Sequence, residues 1–97
     1  MNDIIIEAIE NRKLLEFFYK DHHRIVEPHT FGVSSKGNDN LSAFQIDGTS
    51  ESIAVPDWGL FTIDKIVDLK ILNQTFEGNR PKYTKGDIRM IEIYKEL

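Results

Sequence analysis

The sequence predicts an α+β domain: a small, mainly antiparallel β-sheet or barrel of five short strands, with a helix before it and a helix or irregular tail after it. Three observations carry this expectation. The chain has 97 residues, which leaves room for one hydrophobic core and makes residues 1–97 a single domain. Its composition is 40% hydrophobic, 10% aromatic and 29% charged, as in folded globular proteins rather than disordered ones. Between residues 14 and 73, apolar segments of strand length follow one another with only turn-forming residues between them. That order favours antiparallel pairing over parallel strands joined by crossover helices.

The first element is a short amphipathic helix. Asn2 or Asp3 can cap it, and Ile5, Ala8 and Ile9 make one apolar stripe before Asn11. Leu14 to Tyr19 is bulky and aromatic, which suits a pleated surface, and Lys20-Asp21-His22-His23 supplies a turn. Arg24 to Val33 is the partner strand, bent or bulged at Pro28 because proline has no N–H for a ladder. A turn at Ser34–Asp39 leads into a third strand, Asn40 to Ile46, and the small polar residues from Asp47 to Asp57 form a long loop. Trp58–Ile63 and Ile66–Leu72 complete the five strands. Gly78, Pro81 and Gly86 then interrupt the chain, and Asp87 can cap a last helix with Ile88, Ile91 and Tyr94 on one face.

Composition also bounds function. With no cysteine, disulfides, thiolate nucleophiles and zinc–thiolate sites are excluded, and the cytoplasm is the expected compartment. Apolar runs such as Ile4-Ile5-Ile6 are too short to cross a membrane, and the N-terminus lacks a secretory pattern. A net charge of −4 argues against a surface that attracts nucleic acid everywhere. Local basic groups remain: Arg12, Lys13, Lys20, His22, His23 and Arg24 early, and Arg80, Lys82, Lys85 and Arg89 late.

No motif predicts an enzyme. Gly48-Thr49-Ser50 lacks the length and the Lys-Ser/Thr ending of a P-loop, and no Gly-x-Ser-x-Gly elbow is present. His22, His23 and His29, with Glu27 nearby, lack the spacing that puts two imidazoles on one face, so no metal or cofactor is expected. The unusual feature is a series of aromatic and cationic or amide-bearing positions along the strands: Tyr19, Arg24, His29, Gln45, Trp58, Phe61 and Lys65. Such a set can stack bases and grip phosphates. The ordinary alternative is that Phe17, Phe31, Phe44, Trp58 and Phe61 are core.

The order of segments resembles the WYL domain of bacterial regulators and defence-associated proteins. The resemblance runs over nearly the whole chain. It includes Ala8-Ile9 with Arg12, Phe18-Tyr19, Arg24-Ile25-Val26-Glu27-Pro28-His29, Leu41-Ser42-Ala43-Phe44, Phe61-Thr62-Ile63-Asp64-Lys65-Ile66 and Phe76. Of the Trp-Tyr-Leu triplet that names the family, Asp39-Asn40-Leu41 keeps only leucine, and Lys65 stands where arginine is commoner. Members usually carry a winged-helix segment ahead of this domain, and only a few residues precede the first helix here, so the expectation is a divergent stand-alone domain. The resemblance implies an Sm-like or SH3-like barrel that senses a ligand, usually a nucleotide or nucleic acid, with Tyr19, Arg24, His29 and Lys65 at the matching contact positions. The expected function is therefore a regulatory binding module for a nucleotide or short single-stranded nucleic acid, with Gln45 added from the strand pattern. The alternative is a protein-interaction module, an accessory or inhibitor of a larger complex. Two finer expectations follow: Arg24 and Lys65 reach solvent at strand ends and hold one anion together, and the chain forms a homo-oligomer through Ile5, Ile9, Ile88 and Ile91.

Overall fold

A computed structural model describes residues 1–97. Helix α1 (Asn2–Asn11) precedes strands β1 (Lys13–Tyr19), β2 (His22–Ser34), β3 (Asp39–Gly48), β4 (Asp57–Thr62), β5 (Val67–Thr75) and β6 (Met90–Glu96). A 3-10 turn at Ile63–Lys65 joins β4 to β5. Every strand pairing is antiparallel. The strands run in the order β4-β3-β2-β1-β5, with β6 also on β2. β4 and β5 do not pair with each other, so the sheet is open where a closed barrel was expected.

α1 buries Ile5, Ala8 and Ile9 on its inner face, the i, i+3, i+4 stripe of an amphipathic helix. Neither Asn2 nor Asp3 caps it: both lie inside the first turn, and no side chain bonds the helix start. Arg12 ends the helix in the left-handed conformation, φ 53°, and its N–H reaches the carbonyls of Ala8 and Ile9. The first hairpin is tighter than expected. Lys20 and Asp21, at φ 52° and 63°, form a two-residue turn of the kind that matches strand twist, so His22 and His23 belong to β2.

β2 is the organising strand. Its first half pairs with β1 as far as Val26, and its second half pairs with β6 from Thr30 onward. Pro28 falls between these two ladders, so on this edge its missing N–H leaves no ladder bond unmade. On the other edge β2 pairs with β3 along most of its length, with a register shift between Pro28 and Thr30. The bend expected at Pro28 thus becomes the point at which the sheet changes partners.

The C-terminal segment is a strand, not the expected helix or irregular tail. The free edge of β2 beyond Val26 leaves backbone groups without partners, and the Ile- and Tyr-rich 90–96 segment, of high strand propensity, supplies them. Ile88, Ile91 and Tyr94, the face proposed for a helix, are all exposed. Gly32 permits this pairing, because a Cβ there would stand 2.3 Å from the Glu92 carbonyl oxygen. β6 is the sixth strand.

Between α1 and the sheet lies the core, which includes Leu15, Phe17, Tyr19, Val26, Phe31, Leu41 and Phe61. Phe17 and Tyr19 both meet the Phe61 ring edge to face, with centroids 5.1 Å apart. Ile5 and Ile9, 0% and 2% exposed, are part of this core and cannot form the oligomer face expected of them. No helix is long and apolar enough to cross a membrane.

Candidate functional site

Three of the five candidate residues come together where the β1–β2 and β2–β3 hairpins meet. Arg24, the third residue of β2, lies opposite Phe17 on β1 and Gly48 on β3. It was expected in solvent but is 3% exposed. Tyr19, Phe61 and Gln45 close around it, and the loop after β3 carries Glu51 close enough to act on its charge. Its Nη2 donates to the Tyr19 carbonyl at 3.0 Å and its Nη1 to Gln45 Oε1 at 3.3 Å. The guanidinium carbon lies 5.4 Å from the Tyr19 ring centroid and 5.5 Å from that of Phe61, within cation–π range. No carboxylate makes an ion pair with Arg24. Its Nε is the one buried side-chain nitrogen or oxygen that finds no hydrogen-bond partner. Burial pulls its pKa below the ordinary arginine value, opposed by Tyr19 and Glu51.

Gln45 completes this group. It is fully buried, and its amide nitrogen donates to the carbonyls of Asp47 and Thr49 at 3.0 and 3.2 Å, so the side chain that accepts from Arg24 also ties down the 49–53 loop. His22 Nδ1 and Thr49 Oγ1 are 2.8 Å apart, a second tether. Tyr19 contributes its ring and carbonyl, while its hydroxyl accepts the Thr62 N–H at 3.1 Å.

Lys65 does not join them. It sits exposed in the 3-10 turn and makes no hydrogen bond or ion pair within the molecule. His29 belongs to a separate cluster at the bend of β2. It is fully buried, with Nδ1 2.8 Å from the Glu27 carbonyl and Nε2 accepting the Arg80 N–H at 3.2 Å. This pattern assigns a neutral ring protonated on Nδ1. Burial lowers its pKa below 6.5, Glu27 opposing and Arg80 reinforcing the shift. Trp58, Tyr83 and Phe76 surround it, with centroids at 4.7, 5.0 and 5.6 Å. Beside it Arg80 grips Glu27 with Nε on Oε1 at 2.6 Å and Nη2 on Oε2 at 2.8 Å.

Several of the basic positions seen in the sequence are engaged within the molecule. Arg12 donates to the Glu77 carbonyl, Arg80 pairs with Glu27, Arg89 with Asp87, and His23 with Glu16. No group of three or more His, Cys, Asp or Glu side chains is placed to hold a metal ion.

One feature was not legible from the strand pattern. A cleft of about 450 Å³ lies on the outer side of β3 and β4, lined by Ser42, Trp58, Leu60, Tyr83, Ile88 and Arg89 among others. Residues 82–89 supply one wall, and no sequence signal tells that they fold back over β4. No protein-family model, curated protein or solved structure matches the chain.

Proposed function

We propose that this chain is a WYL-like binding module for a compact anionic ligand of the nucleotide class, anchored by Arg24. The observation that carries the reading is the buried Arg24 guanidinium, which has no carboxylate partner and leaves Nε without an acceptor. Buried charges are normally paired, and an unsatisfied buried donor calls for an explanation. A phosphate accepts from a planar guanidinium at two points, and Gln45 and the rings of Tyr19 and Phe61 frame that approach. Entry requires the 49–53 loop to lift, breaking the Gln45 bond to the Thr49 carbonyl and the His22–Thr49 contact.

The ion pairing of Arg80 with Glu27 and of Arg89 with Asp87 favours a nucleotide, or the end of a short strand, over a polyanion tracked across the surface. The resemblance at Arg24–His29 and Phe61–Ile66 supports the same reading. It includes taking the bent sheet, with β2 shared by both halves, as an opened variant of the Sm-like or SH3-like barrel. The protein is taken to act by sensing its ligand rather than by catalysis, in the cytoplasm. A second reading, a protein-interaction module or homo-oligomer, is favoured by the outer cleft with Leu60 and the nearly fully exposed Ile88 at its rim.

Calorimetric titration with ATP, inorganic phosphate and a short oligothymidylate, at low and high salt, tests the first reading. Binding of a nucleotide that weakens with salt and disappears in Arg24→Gln, with the variant still folded by circular dichroism, is the expected result. If none of the three binds the unmodified chain at low salt, or if Arg24→Gln binds equally well, the nucleotide reading is wrong.

A further inference from the structure

Residues 76–84 carry no regular secondary structure, yet they are strapped firmly across the outer face of the sheet. The strap begins with the Phe76 N–H on the Arg12 carbonyl at 2.9 Å. Its middle rests on His29 through the Arg80 N–H and through the rings of Phe76 and Tyr83. Trp58 of β4 donates its indole N–H to the Pro81 carbonyl at 2.9 Å and stacks with Tyr83 at 6.3 Å. Arg80 adds its grip on Glu27 and lies 4.8 Å from the Phe44 ring centroid. The Tyr83 hydroxyl donates to the Leu97 carbonyl at 3.1 Å.

We infer that this strap is an acid-released latch whose catch is the neutral imidazole of His29. The catch works only while Nε2 carries a lone pair, because that lone pair accepts the Arg80 N–H. A proton on Nε2 turns an acceptor into a donor facing a donor, and places a positive charge beside the Arg80 guanidinium. Of the carboxylates, Glu27 alone acts on the ring and Arg80 opposes it, while the end of the chain meets His29 through the Leu97 N–H on its carbonyl. Among ionisable groups, Glu27 faces the ring from β2, but its carboxylate is already held by both arms of Arg80. From the strap come Arg80 itself and Tyr83, whose own surroundings include Asp87 and Glu96. β4 offers only the uncharged Trp58. The lowered pKa of His29 agrees with this geometry, and a histidine is the side chain suited to switching in mildly acidic solution.

Release would free the strap from His29 and uncover Phe44, Trp58 and Glu27, leaving α1 and the β1–β2 hairpin in place. It concerns the face opposite the core and is independent of what Arg24 binds.

Trp58 is the only tryptophan, so its fluorescence reports on the latch directly. Emission and acrylamide quenching are followed from pH 7.5 to pH 5, alongside far-ultraviolet circular dichroism and the ring-proton resonances of the three histidines. The expected result is a reversible red shift with increased quenching below pH 6.5, at the midpoint at which the His29 resonance titrates, while the circular dichroism holds constant. The shift persists in His22→Gln and His23→Gln and is absent from His29→Gln. A flat Trp58 signal, a transition that coincides with loss of circular dichroism, a midpoint that follows His22 or His23, or a transition surviving in His29→Gln would each overturn the proposal. Because the resonance comparison uses the unmodified chain, the test stands even where His29→Gln fails to fold.

Discussion

Gly48 illustrates how closely single residues are built into this fold. Its φ is +92°, and a Cβ on it would stand 2.0 Å from the carbonyl oxygen of His23. Alanine there meets both a disfavoured backbone conformation and a steric overlap with backbone that cannot move aside. Gly48→Ala is expected to lower the unfolding free energy by about 1–3 kcal/mol from the conformational strain alone, read from the urea midpoint at unchanged slope. An unchanged midpoint would mean that the end of β3 has freedom the geometry denies. The same region shows what a sequence conveys about a side chain. That Arg24 and Gln45 lie on strands was readable from their alternating apolar neighbours. That they bond each other was not, because their contact depends on the β2–β3 register. His29 was readable as a candidate from the aromatic and cationic series along the strands and from the family resemblance, but its partner Arg80 is 51 residues away, a distance over which no local pattern operates.

At the scale of elements, five of the six strands follow from apolar segments and turn chemistry, because their partners are mostly neighbours along the chain. β6 is the exception. The spacing of Ile88, Ile91 and Tyr94 fits a helical face, Ile91 and Ile93 fit a strand, and the deciding factor is a vacant strand edge far upstream, on β2. Short apolar runs are ambiguous in this way, and tertiary context resolves them. β6 depends on Gly32, where the Glu92 backbone approaches too closely for any side chain. Gly32→Ala is therefore expected to detach β6 selectively, at a cost of about 1–3 kcal/mol for the overpacking. Hydrogen exchange would show this as lost protection at Met90–Glu96, with the amides of β1 and of the first half of β2 still protected. Uniform loss across the sheet would show instead that β6 is no separable unit.

Across the whole molecule, the α+β class and the single core were readable from composition and periodicity, whereas closure was not: whether β4 and β5 meet depends on pairings between segments far apart in the chain. Stability against acid is the property in which these parts act together. His29 is buried neutral with its pKa lowered by desolvation, so below pH 6.5 the unfolded chain takes up a proton that the folded chain resists. The unfolded state then binds more protons, and stability falls as the pH falls. That loss stops growing once the pH drops below the folded pKa of His29. Asp87 acts at lower pH. Arg89 holds its carboxyl below the ordinary 3.8, chiefly through their hydrogen bonds, so its stabilisation is complete above that value and is lost as the pH falls through the folded pKa. Each group gives a slope of at most about 1.4 kcal/mol per pH unit. Urea unfolding from pH 8 to pH 3 should accordingly show two declines, one starting near pH 6.5 and one below pH 4. His29→Gln should flatten only the first and Asp87→Asn only the second. Stability that stays level between pH 6.5 and pH 5 in the unmodified chain would mean that His29 meets solvent and shares the proton affinity of the unfolded state, which its burial beneath Trp58, Phe76 and Tyr83 argues against.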